Sequence, residues 1–153
     1  MSKEPQSHLM VHRTSAQCLP HKESLSKRAM AALWTYLTTP FLLVEDGVRV
    51  EELEAWHEGT ETWRVLRAYF PGSIETHSFV QNFFFGNDLM LRRHDYGVNI
   101  AGGFGASQLT SNYIQANGIH LPSKRRAYTR GPDNRPIQDM LMVAIDVSNV
   151  SFK

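Results

Sequence analysis

Imidazole, carboxylate and phenol stand side by side at His94-Asp95-Tyr96, inside the stretch FFFGNDLMLRRHDYGV. These are the groups of acid–base chemistry, and on a loop they would invite a proton relay. Their setting reads as a strand instead. Strand side chains alternate between faces. Met90, Arg92, His94, Tyr96, Val98 and Ile100 then share one face, and Leu91, Arg93, Asp95, Gly97 and Asn99 the other. His94 and Asp95 diverge, so they cannot form the base–orienter pair of a triad. His94 and Tyr96 lie about 7 Å apart on the more apolar face, spaced to flank one small polar group inside an apolar hollow. The same two rings would serve equally well at the half-buried rim of a sheet. No catalytic residue is assigned, and whether a reaction occurs is left open.

Neighbouring residues describe the hollow. Phe83 and Phe85 share a face and Phe84 takes the other, so this strand is expected to be dry on both sides, one under a helix and one in a concave pocket. The final strand is apolar on both faces as well, with Leu141, Val143, Ile145 and Val147 opposite Met140, Met142 and Ala144; methionine adapts to irregular ligands. The candidate ligand contacts are His94, Tyr96, Arg92, Phe83, Phe85, Trp63 and Met142. His77 beside Ser78, and a metal site from His77, His94 and His120, are weaker candidates, and no metal or cofactor is expected. Lys124, Arg126, Tyr128 and Arg130 read as the charged outside of an edge strand. The glutamates from Glu51 to Glu61 read as surface charges.

The elements that position these residues follow from the pattern. Residues 1–23 lack periodicity and are expected to form a flexible tail. Residues 24–153 form one domain. SLSKRAMAALWTYL predicts an amphipathic helix with Ala29, Leu33, Leu37 and Met30, Trp34 as its apolar stripes, followed by a short turn through PFLLV that Thr39 caps with Pro40 first. After Asp46-Gly47, about seven strands joined by tight turns predict an antiparallel meander. The fold class is α+β, mainly β: a curved antiparallel sheet, a half-barrel, with an N-terminal helix on one face.

Bulk properties exclude several functions. A net charge of +1 lacks the basic excess of a duplex nucleic-acid binder. The single cysteine, Cys18, permits no internal disulfide. Leu33 to Val44 is too short an apolar run to span a bilayer. The N-terminal stretch has no apolar secretory core, so the expected location is the cytoplasm.

WTYLTTPFLL, ETWRVLRAYFP with SIETHS, the hairpin ending LRRHDY, NGIHLPSKRRAY and the closing IDVSNVSF together resemble a group of uncharacterised bacterial proteins. The sheet of that group is similar to the half-barrel of lipoprotein carriers of the LolA/LolB type. The resemblance implies a curved sheet around an apolar cavity with a helix as lid or plug. Members carry a further segment ahead of the WTYLTTP stretch that supplies the first half of the sheet; without it, the expectation is a sheet edge that pairs with a second copy. The reading is a non-catalytic module that binds a small hydrophobic or amphipathic molecule. The alternatives are a self-associating structural domain, a homodimer through its open face, or a small cyclase or isomerase with His94 as acid–base and Tyr96 as orienting hydroxyl.

Overall fold

The computed structural model describes residues 9–12, 30, 33–98 and 103–151. Within them the chain forms one unclosed, curved antiparallel sheet. The strands are β1 (Leu9–His12), β2 (Arg49–Glu58), β3 (Glu61–Tyr69), β4 (Val80–Phe85), β5 (Leu91–Val98), β6 (Phe104–Ala116), β7 (Ile119–Arg130) and β8 (Pro136–Val147). Their order is β1-β8-β7-β6-β5-β4-β3-β2, a meander from β2 to β8 with β1 added beyond β8. A short helix, α1, covers residues 33–38, and a 3-10 turn follows at Phe41–Val44. The meander matches its expectation. β1 does not: Leu9–His12 lies in the segment expected to be a flexible tail, yet it pairs with Ala144 to Val147. The rest of that tail with Cys18, the expected helix before Met30, residues 31–32 and residues 99–102 lie outside the described residues.

The turns fall where the sequence places left-handed residues. Gly47 and Gly59 have φ of 84° and 57°. Asn117-Gly118, both at positive φ, closes the β6–β7 hairpin as the Asn-Gly pair of a type I′ turn does. Thr39 does not cap the 3-10 turn, whose N-cap is Pro40. The Thr39 hydroxyl instead donates back to the Thr35 carbonyl at 2.5 Å and closes α1.

Both faces of the sheet are dry at β4 and β5, as the triple phenylalanine requires, whereas the first half of β8, expected to be apolar on both faces, leaves Ile137, Met140 and Leu141 exposed. Phe83, Phe84 and Phe85 are 0%, 4% and 8% exposed. On the helix side Phe83 and Phe85 pack with Ala68, Phe70 and Leu91 under Leu42 and Leu43 of the 3-10 turn. On the far side Phe84 packs with Trp63 and Val65, and Leu53 and Trp56 close over them. The far face is therefore filled with side chains where a concave pocket was expected.

The far face also buries charge. Arg93 donates to both oxygens of Asp95, at 2.7 and 2.5 Å, and both side chains are almost fully enclosed. The Arg93 guanidinium lies 4.5 Å from the Phe84 ring centre and 4.8 Å from that of Trp56, and it donates to the Asn134 carbonyl of the β7–β8 loop. Arg130 reaches Asp95 at 3.1 Å. It crosses Gly105 to do so, where a Cβ would stand 2.7 Å from its Nε. One carboxylate thus ties β5, β7 and the β7–β8 loop together. Because β8 pairs beyond it, β7 is an interior strand, between β6 and β8, and not the expected edge. The true edge on the far flank is β2, which carries Glu51, Glu52, Glu54 and Glu58 and a bulge between Leu53 and Trp56, devices that discourage strand addition.

Removing one member of a buried ion pair leaves the other uncompensated, at about 3–5 kcal/mol. Asp95→Ala is expected to lower the unfolding free energy by that amount in urea titration. The double replacement Arg93→Met with Asp95→Leu should cost clearly less, because only the partly exposed Arg130 loses its carboxylate. Equal losses in the two variants would refute this account of the far face.

Candidate functional site

The helix-side face between α1 and β4, β5, β6 and β7 holds a buried polar cluster. Tyr36 descends from α1 into it. Its hydroxyl meets the Tyr96 hydroxyl at 2.5 Å and His77 Nε2 at 2.9 Å. A consistent assignment has Tyr96 donate to Tyr36 and Tyr36 donate to a neutral His77. The His77 and Tyr96 rings stack at 4.4 Å, and His94 stacks on Phe83 at the same distance. His94 and Tyr96 ring centres are 4.9 Å apart, so the two share a face as expected and touch each other directly, with the Tyr36 ring 6.1 Å from each.

His94 is completely enclosed. Its Nε2 meets Gln81 Oε1 at 2.6 Å, while the Gln81 amide nitrogen donates to the Ser78 carbonyl. With Gln81 oriented that way, Nε2 carries the proton and Nδ1 is a bare acceptor. Nδ1 has no hydrogen-bond partner. Arg125, 2% exposed, enters from β7. Its Nη1 donates to Gln108 Oε1 at 3.0 Å and its Nη2 to the Tyr36 carbonyl in the last turn of α1. Arg125 Nε and Gln108 Nε2 are also without partners; the Gln108 amide approaches the Tyr36 hydroxyl without reaching hydrogen-bond geometry.

Burial dominates the electrostatics. It drives the His77 pKa down to about 4 and His94 well below the usual imidazole range, His94 being further lowered by His77 and Arg125. Burial pushes Tyr36 up to about 12 and Tyr96 well above its ordinary value. Arg125 is brought down to about 10 by burial and remains protonated at neutral pH. The cluster is thus neutral apart from one guanidinium.

Beside it lies an apolar cleft of about 330 Å³, lined by Thr39, Pro40, Phe41, Leu89, Met90, Leu91, Tyr113, Gly118, Ile119, His120 and Pro122. It sits between the end of α1 and the tips of the β4–β5 and β6–β7 hairpins. Phe41 and Leu89 form an exposed apolar rim. Asn112, at φ 54°, interrupts the alternation of β6, and Tyr113 faces the cleft with its hydroxyl on the Leu91 carbonyl at 2.8 Å.

The structure sorts the expected contacts. His94, Tyr96, Phe83 and Phe85 come together on the helix side. Met142 joins them, packed against the group of Tyr36, Tyr96, Ala106 and Ile145; a register shift in the β7–β8 pairing brings it there. Trp63 does not. Val65 pairs with Phe84, so Trp63 shares the far face and ties its indole to Glu61 at 2.6 Å. Arg92 does not either. Phe84 pairs with Arg93 but Phe85 with Leu91, so Arg92 is the extra residue of a bulge. It turns to Asp88 at 2.7 Å and towards Glu61 at 3.8 Å, and Leu91 takes its place beside Phe85.

Tyr36, Gln81, Gln108 and Arg125 were not among the sequence candidates, and His77 was weighed only with Ser78 or as a metal ligand with His94 and His120. The expected helix stripes also differ. Met30, Trp34 and Leu37 are exposed, whereas Thr35, Tyr36 and Thr39 face inward, because the phenol of Tyr36 is needed in the polar cluster. No group of three metal-ligating side chains occurs among the described residues, and His120 stands apart at the cleft. No helix among them is long and apolar enough to cross a membrane.

No family model matches the chain, and no curated protein matches it. Among solved structures it is similar to a LolA superfamily protein from Nitrosomonas europaea, with a TM-score of 0.49 and 8% identity over 68% of this chain. The match spans 44% of that protein's length. A likeness of that size carries no functional argument.

Each buried histidine has a folded pKa below its unfolded value of about 6.5. The unfolded chain takes up protons first as pH falls, so stability present above pH 6.5 is lost on descending towards 4. Between pH 6.5 and 5 the unfolding free energy should fall with a slope approaching about 1.4 kcal/mol per pH unit for each of the two histidines. His94→Gln should roughly halve that slope in urea titrations across the range. An unchanged slope would show that His94 is not held neutral by the fold.

Proposed function

We propose that this protein binds, without transforming, a small hydrophobic or amphipathic molecule on the helix-covered face of its curved sheet. The observation that carries the reading is the apolar cleft of about 330 Å³ with an exposed apolar rim, opening between one short helix and two hairpin tips. Its volume falls at the lower end of small-molecule sites, and its lining has the usual character of such sites, apolar walls with a few polar groups. Side chains as exposed as Leu89, at 67%, gain by covering with an apolar ligand.

The electrostatics support binding over acid–base turnover. A proton-transfer group works best with its pKa near the operating pH. Burial moves His94 and Tyr96 away from neutrality in opposite directions, and His94 Nε2 and the Tyr96 hydroxyl are engaged with Gln81 and Tyr36.

The neutral fluorophore N-phenyl-1-naphthylamine should bind saturably, at one per chain. Leu89→Asp should weaken it about tenfold or more, equivalent to roughly 1.4 kcal/mol, without lowering the unfolding midpoint, since Leu89 lies at a surface turn with φ 64°, which aspartate accepts more readily. Absence of saturable binding, or affinity indifferent to Leu89→Asp, would overturn the proposal.

A further inference from the structure

Two arginines are buried in this sheet, one on each face, and they are treated differently. Arg93 has a carboxylate, both of whose oxygens it engages, and two aromatic rings. Arg125 has neither acid nor ion pair among the described residues. Its hydrogen bonds go to two neutral oxygens, the Gln108 amide and the Tyr36 carbonyl, and its Nε has none. A guanidinium taken out of water needs an anion or several strong acceptors to offset its lost hydration. The helix-end carbonyl of Tyr36 offers only a partial negative charge.

Two of the orphaned atoms around it are donors that a carboxylate would satisfy. Arg125 Nε and Gln108 Nε2 are donors without acceptors, and His94 Nδ1 is an acceptor without a donor. The register brings them together: His94 pairs with Gln108, and Arg125 pairs with Thr110, two residues further along β6. A carboxylate could lie along the Nε–Nη2 edge of Arg125 in the two-bond arrangement that guanidinium favours. The apolar cleft adjoins the cluster. Its wall includes Thr39, three residues from Tyr36, whose carbonyl Arg125 holds, and Leu91, whose carbonyl accepts from Thr110, the cross-strand partner of Arg125.

Access is compatible with the way α1 is held. The contacts of Tyr36 with Tyr96, His77 and Arg125 are polar, while Met30, Trp34 and Leu37 are turned outward. Hydrogen bonds to the helix end can be exchanged for hydrogen bonds to a ligand head.

Resting on the binding function proposed above, we infer that the ligand is a carboxylate-headed amphiphile whose acid is received by Arg125, with the Gln108 amide as the second donor of the head-group site. Arg125 stays charged through neutral and mildly alkaline pH, and so does a fatty carboxylate.

The test uses the full chain at pH 8 with N-phenyl-1-naphthylamine bound, displaced by dodecanoate, dodecanol or dodecyltrimethylammonium. Dodecanoate should displace the fluorophore at about 10–100-fold lower concentration than dodecanol, the range of one or two charge-assisted hydrogen bonds, and the ammonium should be the weakest. Arg125→Met should bring dodecanoate and dodecanol to within about threefold, while Arg125→Lys keeps part of the preference. Equal displacement by dodecanoate and dodecanol in the wild type would overturn the acid assignment and leave the binding function standing, and that comparison needs no variant to fold. A preference that survives Arg125→Met would overturn it too. Failure of the fluorophore to bind at all would remove both.

Discussion

The contact between Arg125 and the last turn of α1 joins the two layers of this protein. It is the point where a strand at the middle of the sheet takes hold of the helix that covers it. Around it the helix makes few apolar contacts: Tyr36 is its one large inward side chain with full burial, and Leu33 is half-buried beside it. The helix is therefore positioned by direction-dependent hydrogen bonds more than by area. Such an attachment specifies one placement, because a phenol and a guanidinium accept few geometries, but it contributes little hydrophobic stabilisation to hold that placement against change. Leu42 and Leu43, packed on Phe83 and Phe85, supply the apolar anchorage a few residues further on.

The centre of the sheet, at β4 and β5, is built to be dry on both sides, and this sets its electrostatics. Every charge on an interior strand must be matched locally or carried at a cost. The far face solves this with Asp95, shared by Arg93 and Arg130. The helix face solves it by keeping its titratable side chains neutral. His77 and His94 are uncharged because they are buried, and the tyrosines are locked in their protonated forms for the same reason. A single positive charge is left facing a largely neutral interior. That asymmetry distinguishes the two faces more sharply than the apolar pattern does.

Strand order was legible in the residues because the turns are marked by Gly and Asn at positions of positive φ, and the dryness of both faces was legible in Phe83-Phe84-Phe85. His94 and Tyr96 could be placed on one face because nothing interrupts the alternation between them. Arg92 could not be placed correctly. The bulge that diverts it depends on the register between β4 and β5 and on the attraction of Asp88, neither of which the local alternation encodes. Trp63 needed the pairing of Val65 with Phe84 to fix its side. Gln81 and Gln108 carry no local signal of their role, which comes from the sheet placing them opposite Tyr96 and His94. Arg125 sits in a run of basic residues that resembles an exposed edge, and only the addition of β8 beyond it makes the strand interior. Tyr36 was hidden by the helix stripes. Hydrophobicity favoured Trp34 and Leu37 for the inside, whereas a polar cluster selected the phenol.

Leu89 adds a last consequence. A branched aliphatic residue holds the tip of the β4–β5 hairpin at φ 64°, a conformation that costs an L-residue about 1–2 kcal/mol and glycine almost nothing. Glycine there would relax the loop and strip the mouth of the cleft of its largest exposed aliphatic group. Backbone comfort and a greasy threshold are thus set against each other in one amino acid, and the chain keeps the threshold.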